Sequence, residues 1–194
     1  ELKNFINLNK DEYLKEIFSL IFPEFQNLAR LDRLKKICNH SQINKNILLA
    51  VLLINMKDNH EYFAHKYNIS NNIKEHLSLV ARDLKLLREN KDFFGKDLEK
   101  NIYLKNKKYL INLNIINFSI NDKYKLKDFL EITRKILHSR IYAFPIDGKY
   151  LMKNGMKEGL SLGKVLKMTE EEWINNNFKI SKDQIKEIIK LNSD

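Results

Sequence analysis

Residues that interrupt helices are scarce in this chain, and most of them lie in one stretch. The 194 residues include only two prolines and five glycines. Proline breaks a helix, and glycine lowers helix stability by about 1 kcal/mol relative to alanine, so long uninterrupted helices are favoured. Four of the five glycines fall between Phe144 and Leu166, in FPIDGKYLMKNGMKEGLSLGKVL. This stretch is therefore expected to differ from the rest of the chain.

Apolar residues recur at helical spacing along most of the sequence. They make up 43% of the chain, which is enough for a packed globule. DEYLKEIFSLIF predicts a helix closed by Pro23, and the pattern repeats from Phe25 to Cys38. Further helices are predicted from a cap at Ser41 to about Asn59, from Glu61 to Tyr67, from a cap at Ser70 to about Asn90, and from Lys125 to Tyr142. The sequence thus predicts an all-α multi-helix bundle.

Three segments need separate interpretation. NIYLKNKKYLINLNIINFSI could pass locally for a strand, but no second alternating run offers it a partner, so helix is favoured. In the helix after Lys125, the expected inward residues are Phe129, Ile132, Ile136, Leu137 and Ile141. Capping boxes are predicted for Thr169 with Glu172 and for Ser181 with Gln184, with Ile180 and Ile185 as a hydrophobic staple around Ser181.

The positive charge is concentrated in the middle of the chain. The net charge is +10. Residues 1–80 hold 11 basic and 9 acidic side chains, residues 81–169 hold 20 and 10, and residues 170–194 hold 4 and 6. A localised positive field indicates an anionic partner, with a solvated, soluble surface as the alternative. We accordingly divide the chain into a helical region, 1–90, and a basic helical region, 91–194, with one continuous unit as the alternative.

No known catalytic constellation is present in the sequence. It contains no phosphate loop, nucleophile elbow, dinucleotide-binding turn or Asp-x-Asp pair, and His60 and His65 are five residues apart, which does not suit two metal ligands on one helical face. We therefore predict no catalytic residue, metal site or cofactor. The one cysteine, Cys38, excludes an intramolecular disulfide, and the longest apolar run, ILLAVLLI, is too short to cross a bilayer. We expect a cytoplasmic protein without a membrane partner.

The glycine-rich stretch predicts a helical hairpin. Asp147 can cap a short helix that ends at Gly155, in the left-handed position after the helix. Gly159 then precedes a second helix that contains Gly163, and Leu151, Met152, Met156, Leu162, Val165 and Leu166 are expected to pack inside the hairpin. Backbone N–H groups near Gly159, with lysines within reach, would form an anion site. The alternative is that the glycines only cap a helix and allow close packing.

FPIDGKYLMKNGMKEGLSLGKVLKMTEEEWINNNF resembles the C-terminal region of bacterial CCA-adding enzymes and related poly(A) polymerases, the class II tRNA nucleotidyltransferases. The positions that match the pattern of this family are Pro145, Gly148, Leu151, Gly155, Gly159, Gly163, Leu166 and Trp173. IFSLIFPEFQNLARLDRL is similar to the segment that precedes the body helices of the family. Leu160 stands where the family commonly has proline, and Tyr150 where it has an acidic residue.

The resemblance implies a role as well as a fold. It identifies the chain as a helical body and tail without the catalytic β-sheet head, because the Gly-Ser motif, the paired aspartates, the Arg-Arg-Asp turn and the Glu-Asp-x-x-Arg helix of the family are missing from the sequence. The chain alone is then expected to be inactive. Mg²⁺ and nucleoside triphosphates would belong to a head domain that is upstream or on a separate chain.

The partner that the resemblance implies is tRNA, gripped through its backbone. We predict phosphate contacts around the glycine hairpin from Lys149, Lys153, Gly155, Lys157, Gly159 and Lys164, and nearby from Arg134 and Arg140. The alternative function is a helical protein-interaction module with an acidic partner. The sequence does not distinguish CCA addition from the addition of adenosines.

Overall fold

The structure, a computed structural model, describes residues 11–25, 27–38, 43–55 and 57–192. These residues form eleven α-helices and no β-strand, which confirms the all-α prediction. In chain order the helices are α1 (Glu12–Ile21), α2 (Arg30–Ile37), α3 (Lys45–Leu53), α4 (Asn59–Lys66), α5 (Asn71–Glu89), α6 (Leu98–Lys105), α7 (Lys107–Ile120), α8 (Leu126–His138), α9 (Gly148–Lys153), α10 (Leu160–Asn175) and α11 (Lys182–Leu191). In the described part of the chain, none of the helices is long and apolar enough to cross a membrane.

The chain divides into two compact units, Glu1–Ser139 and Arg140–Asp194. The first unit holds α1 to α8, and the second holds α9 to α11. The division proposed from the charge pattern, after residue 90, falls inside the first unit. The reason is that α7 packs against α2, α3 and α5, so that residues beyond 90 complete the core that earlier helices begin. A change in surface charge does not mark the end of a core.

Helix α7 lies at the centre of the first unit. It packs against α2, α3, α5, α6 and α8. Consecutive residues from Leu113 to Ser119 are all buried, including the polar side chains of Asn114, Asn117 and Ser119. A helix surrounded on all sides has no polar face, so its sequence loses the period of 3.6 residues. This explains why the segment could pass for a strand.

Two arginines of α2 satisfy backbone carbonyls at the ends of other helices. Arg33 donates to the carbonyls of Phe118, Asn121 and Tyr124 at 2.6–2.9 Å, just where α7 ends. Arg30 donates to the carbonyls of Val51 and Ile54, at 2.8 and 2.7 Å, where α3 ends. The last carbonyls of a helix have no partner inside it, and a cation there is also favoured by the helix dipole. These two side chains therefore hold α2, α3 and α7 together.

Three predicted helix ends differ from the structure. Helix α3 is capped by Asn44 and ends at Leu53, while the proposed cap Ser41 lies outside the described residues. Helix α8 ends at His138, before Tyr142, so the prediction that Leu137 and Ile141 face inward is wrong, and both are exposed. The Thr169 capping box is also wrong. Thr169 lies inside α10, where its buried hydroxyl donates to the Val165 carbonyl at 2.7 Å.

The second unit has a small core of its own. Helix α10 packs against both α9 and α11. The buried apolar residues shared by the three helices and the approach to them are Ile146, Leu151, Met156, Val165, Ile185 and Ile189. The capping box at the start of α11 is confirmed: the Ser181 hydroxyl accepts from the Gln184 amide, and the Gln184 side chain accepts from the Ser181 amide. Ile180 packs against the same core, as the staple requires.

Candidate functional site

The glycine-rich stretch forms the predicted hairpin of α9 and α10. The Asp147 side chain caps α9 by accepting from the Tyr150 amide at 2.8 Å. At the other end, Gly155 has φ +103° and donates to the Met152 carbonyl, while the Met156 amide donates to the Leu151 carbonyl. This pair of hydrogen bonds is the Schellman motif, which needs a residue in the left-handed region. The predicted roles of Asp147 and Gly155 are thereby confirmed.

Gly159 begins the long helix of the hairpin. It has φ +149° and ψ −170°, and it has no side chain with which to cap α10. The amides of Leu160 and Ser161 belong to the first turn, where N–H groups have no carbonyl partner within the helix. The Leu160 side chain is 99% exposed. The start of α10 thus presents amide donors, the positive end of a helix dipole and no covering side chain.

The four glycines of the hairpin differ in what the fold requires of them. A Cβ at Gly148 would lie 3.4 Å from the Leu162 side chain, so this position serves close packing. Gly155 and Gly159 have positive φ angles that other residues rarely adopt. Gly163 is exposed within α10, and a Cβ there would meet nothing within 4 Å. Neither packing nor backbone geometry within the described residues accounts for glycine at 163.

The predicted lysines surround this hairpin. Lys149 and Lys153 lie one helical turn apart on α9, Lys157 lies in the connection, and Lys164 follows Gly163 on α10. All four are exposed, and none forms an ion pair with a carboxylate in the described part of the chain. Residues 140–168 carry six basic side chains and two acidic ones, Asp147 and Glu158. Of these six basic side chains, Lys167 is paired with Glu171 at 3.9 Å, and the four predicted lysines are exposed without such a pair.

Of the two predicted arginines, only Arg140 belongs to the same compact unit as the lysines. Arg134 is exposed on α8 and so belongs to the first unit. Arg140 is the first residue of the second unit, and its guanidinium lies 5.1 Å from the centre of the Tyr142 ring. Six of the eight predicted contacts thus lie within the hairpin, with Arg140 just ahead of it. Arg134 is on a different compact unit.

The second unit also has a cavity lined by aromatic and basic side chains, which was not predicted from the sequence. Tyr142 and Phe178 stack at 3.9 Å with 7° between their planes, and Trp173 lies edge-on to Phe178 at 4.9 Å. Arg140 and Lys179 contribute cations to a volume of about 500 Å³. The contributing residues lie at 140–145 and 173–179, two segments that are separated in the chain by most of the hairpin.

Two buried carboxylates in the first unit are explained by ion pairs. Glu24 accepts from Lys66 at 2.7 Å and from the Tyr67 hydroxyl at 3.1 Å. Burial alone would raise the pKa of Glu24, but the hydrogen bonds from Lys66 and Tyr67 outweigh it and lower the pKa. Asp83, which is fully buried, accepts from Lys105 and from the Tyr109 hydroxyl, both at 2.8 Å. The Glu24 pair joins the turn after α1 to α4, and the Asp83 pair joins α5 to α6.

Two of the described histidines are at least half-buried. His60 lies on α4 and His76 on α5, and burial lowers the pKa of both. No group of three His, Cys, Asp or Glu side chains that could hold a metal ion is found among the residues that the structure describes.

Comparison of the chain with protein-family models, with curated proteins and with solved structures found no match in any of the three.

Proposed function

We propose that this chain is the helical body and tail of a CCA-adding enzyme or a poly(A)-polymerase-like nucleotidyltransferase, and that its α9–α10 hairpin binds the tRNA backbone. A catalytic head outside this chain would bind Mg²⁺ and nucleoside triphosphate and add the 3′ nucleotides. The chain's own contribution is to hold the RNA. RNA helices are bound largely through their shape and phosphates, so the role needs no base-specific motif.

The observation that carries the proposal is the exposed glycine at position 163. Glycine inside a helix costs about 1 kcal/mol relative to alanine, and no contact within the described chain requires it here. Gly159 and Gly163 are four residues apart, so they lie on the same face of the first turns of α10. A surface without side chains lets a ligand approach the backbone closely. A phosphate strand lying across this face would account for both positions.

The charge and the donors of the hairpin support the same ligand. The first amides of α10 point out of the helix N-terminus, which favours an anion. The lysines that surround it are Lys149, Lys153, Lys157 and Lys164, and all are exposed. Phosphate contacts of this kind come from lysine side chains, backbone N–H groups and helix N-termini. The resemblance of the sequence to the tail of tRNA nucleotidyltransferases points to tRNA as the nucleic acid.

Substitution of Gly163 tests the proposal against a purely structural role. Gly163→Ala should stabilise the second unit by about 1 kcal/mol, because alanine is the better helix former and its methyl group meets no neighbour. The same methyl group should weaken tRNA binding, measured by a gel-shift or filter-binding assay. Gain of stability with unchanged tRNA affinity would remove the main support for the proposal.

Charge reversal tests the lysines with a matched control. Lys149→Glu with Lys153→Glu reverses two exposed charges one turn apart on α9, and Lys186→Glu with Lys190→Glu does the same on α11. The α9 pair should lower tRNA affinity and reduce the slope of log affinity against log salt by about one for each lysine on a phosphate. Adding Lys157→Glu and Lys164→Glu should enlarge the loss. The α11 pair should have a smaller effect.

Two outcomes would contradict the proposal. Equal losses from the α9 and α11 pairs would mean that only overall charge matters. Absence of salt-dependent tRNA binding by the chain would favour the alternative, a helical module for an acidic protein partner. Incubation of the chain with nucleoside triphosphate, Mg²⁺ and tRNA lacking its 3′ end is expected to give no incorporation, because the chemistry is assigned to the head.

A further inference from the structure

The cavity beside Trp173 is built around a stack of flat groups. The Tyr142 and Phe178 rings are parallel at 3.9 Å, and the Arg140 guanidinium lies over the Tyr142 ring, 5.1 Å from its centre. Phe178 covers one face of Tyr142, so the guanidinium lies over the other. Arg140 is exposed, so a further flat group can reach the stack from outside. The order is then Phe178, Tyr142 and Arg140, with the exposed Arg140 last.

The backbone holds Phe178 in this stack at a cost. Phe178 has φ +60° and follows Asn177 at φ +53°. A bulky residue in the left-handed region is rare and carries backbone strain. The Phe178 amide donates to the Trp173 carbonyl at 2.8 Å, which closes the end of α10 and fixes the turn. Glycine or asparagine would adopt this φ more easily than phenylalanine does. The strained turn therefore places an aromatic ring where it stacks on Tyr142.

The composition of the cavity suits a nucleotide. Arg140 and Lys179 supply two positive charges, and the lining found among the described residues includes no carboxylate. The volume of about 500 Å³ lies in the range of pockets that hold small ligands, roughly 300–1,000 Å³. Unpaired RNA bases are commonly bound by stacking on aromatic rings or on arginine guanidinium planes. A cluster that served packing alone would not need two cations at its mouth.

We propose that this cavity binds one unpaired nucleotide of RNA, with its base stacked on Arg140 and Tyr142 and its phosphate paired with Lys179. The inference rests on the proposed function for its partner, since the same RNA would lie on the hairpin. It adds a contact of a different kind: the hairpin binds backbone phosphates, whereas the cavity binds a base. Arg140, assigned from the sequence to a phosphate, becomes part of a stacking surface.

The wild-type chain carries its own probe for the test. Trp173 is the only tryptophan, and it lines the cavity. Titration with a short single-stranded oligoadenylate should change Trp173 emission in a saturable way. An abasic oligomer of the same length keeps the phosphates and should bind about 5-fold to 150-fold more weakly, as expected for the loss of one stacked base. A blunt, fully paired RNA duplex should leave the emission unchanged.

Two results of these titrations would overturn the inference. Equal affinity for the oligoadenylate and the abasic oligomer would leave only phosphate attraction. Adenosine monophosphate that binds as tightly as the oligoadenylate would make the occupant a free nucleotide and not a residue of RNA.

Substitution of Arg140 separates the base site from the hairpin. Arg140→Lys keeps the charge but removes the planar group, so the preference for the base-bearing oligomer over the abasic one should fall several-fold. Arg82→Lys, the same change at another exposed arginine, is the control and should leave that preference intact. Tyr142→Leu keeps an apolar side chain and should also reduce the preference. An unchanged preference in folded Arg140→Lys and Tyr142→Leu proteins would overturn the assignment.

The two proposals fail in different ways. Reversal of Lys149 and Lys153 should lower the affinity for tRNA and its salt dependence without changing the ratio between base-bearing and abasic oligomers. If tRNA does not bind but that ratio remains high, the tRNA assignment fails and the nucleotide site stands. If tRNA binds with the expected salt dependence and the ratio is one, the nucleotide site fails alone.

Discussion

The two units use their charged side chains in opposite ways. In the first unit, Glu24 and Asp83 are buried and paired with Lys66 and Lys105, and arginines of α2 close the ends of other helices. In the second unit, the exposed lysines that make no ion pair with any described carboxylate are Lys149, Lys153, Lys157 and Lys164, whereas Lys167 pairs with Glu171 at 3.9 Å. These pairs in the first unit thus contribute to the fold, whereas the four lysines of the second unit stay exposed to water. The total charge of the chain does not reveal this difference.

The two units also differ in the size of their apolar cores. The first unit buries a large continuous set of apolar residues centred on α7, whereas the second buries six in its shared core. A unit of the size of the second buries a smaller fraction of its surface, and its stability is correspondingly marginal. We therefore expect the unfolding of each unit to be measurable separately. Far-UV circular dichroism is dominated by the eight described helices of the first unit, and Trp173 emission reports on the second unit.

The largest expected effect concerns Asp83. Asp83→Ala leaves Lys105, a largely buried cation, without its partner, and it removes the acceptor of the Tyr109 hydroxyl. Breaking a buried pair by removing one partner costs about 3–5 kcal/mol. The free energy of unfolding, measured by urea unfolding followed by circular dichroism, should fall by about that amount.

The control for this change is Asp122→Ala. Asp122 is 93% exposed and 3.8 Å from the Arg33 guanidinium, so its loss should cost less than about 1 kcal/mol. The Trp173 transition should stay in place in both variants. An equal shift of Trp173 emission in Asp83→Ala would show that the two units unfold as one, which would break the comparison.

Acid should also affect the two units differently. Burial lowers the pKa of His60 and His76 below the ordinary value of 6.5, so the unfolded first unit binds more protons than the folded one. Its stability is therefore complete above about pH 6.5 and declines as the pH falls towards the lowered values. The second unit has no histidine. Unfolding measured between about pH 7 and pH 5.5 should show this loss by circular dichroism but not by Trp173 emission.

Histidine variants sharpen the acid experiment. His76→Gln should reduce the loss of stability, because His76 is half-buried and glutamine does not titrate. His65→Gln is the control, since His65 is exposed to water. A pH dependence that His76→Gln leaves unchanged, with an intact fold, would point to other groups.

The smallest expected effect lies in the second unit, at Leu160. This residue is the first of α10, where the N–H has no partner in the helix and proline is favoured. Gly159 before it has ψ −170°, which is outside the α region that a following proline disfavours. Leu160→Pro should stabilise the Trp173 transition by about 0.5–1 kcal/mol, and Leu160→Ala should give no such gain. Destabilisation by proline would contradict the assignment of Leu160 to the first position of α10.

The helices that the sequence predicts well are those with one buried face. Helix α5 begins after Ser70 and ends at Glu89, as its apolar spacing predicts, and the capping box at Ser181 is confirmed. Helix α7 gave no clear period because every side of it is buried. The Thr169 pattern was misleading because α10 continues through it, and tertiary packing buries the hydroxyl that would otherwise cap.

Features of the candidate sites that depend on neighbouring residues were predictable, and those that join distant residues were not. The helix-end positions of Asp147, Gly155 and Gly159 were predicted correctly because helix caps depend on neighbouring residues, whereas the phosphate contacts of Gly155 and Gly159 stay a prediction. The hydrogen bonds of Arg33 span 85 to 91 positions, and no local pattern predicts them. The cavity beside Trp173 also joins distant segments. Local geometry could be predicted from the sequence, whereas sites assembled by tertiary contacts could not.

Left-handed backbone positions in the described part of this chain hold asparagine as well as glycine. Asparagine occupies three positions with positive φ, namely Asn68, Asn106 and Asn177. Asparagine tolerates this region better than most residues, so the chain makes ordinary reversals with an amide side chain. Glycine is thus not the routine choice for a bend in this protein. Asn106→Gly would keep the left-handed backbone but remove the side-chain oxygen that caps α7 by accepting from the Tyr109 amide, so at this position asparagine supplies a cap that glycine cannot.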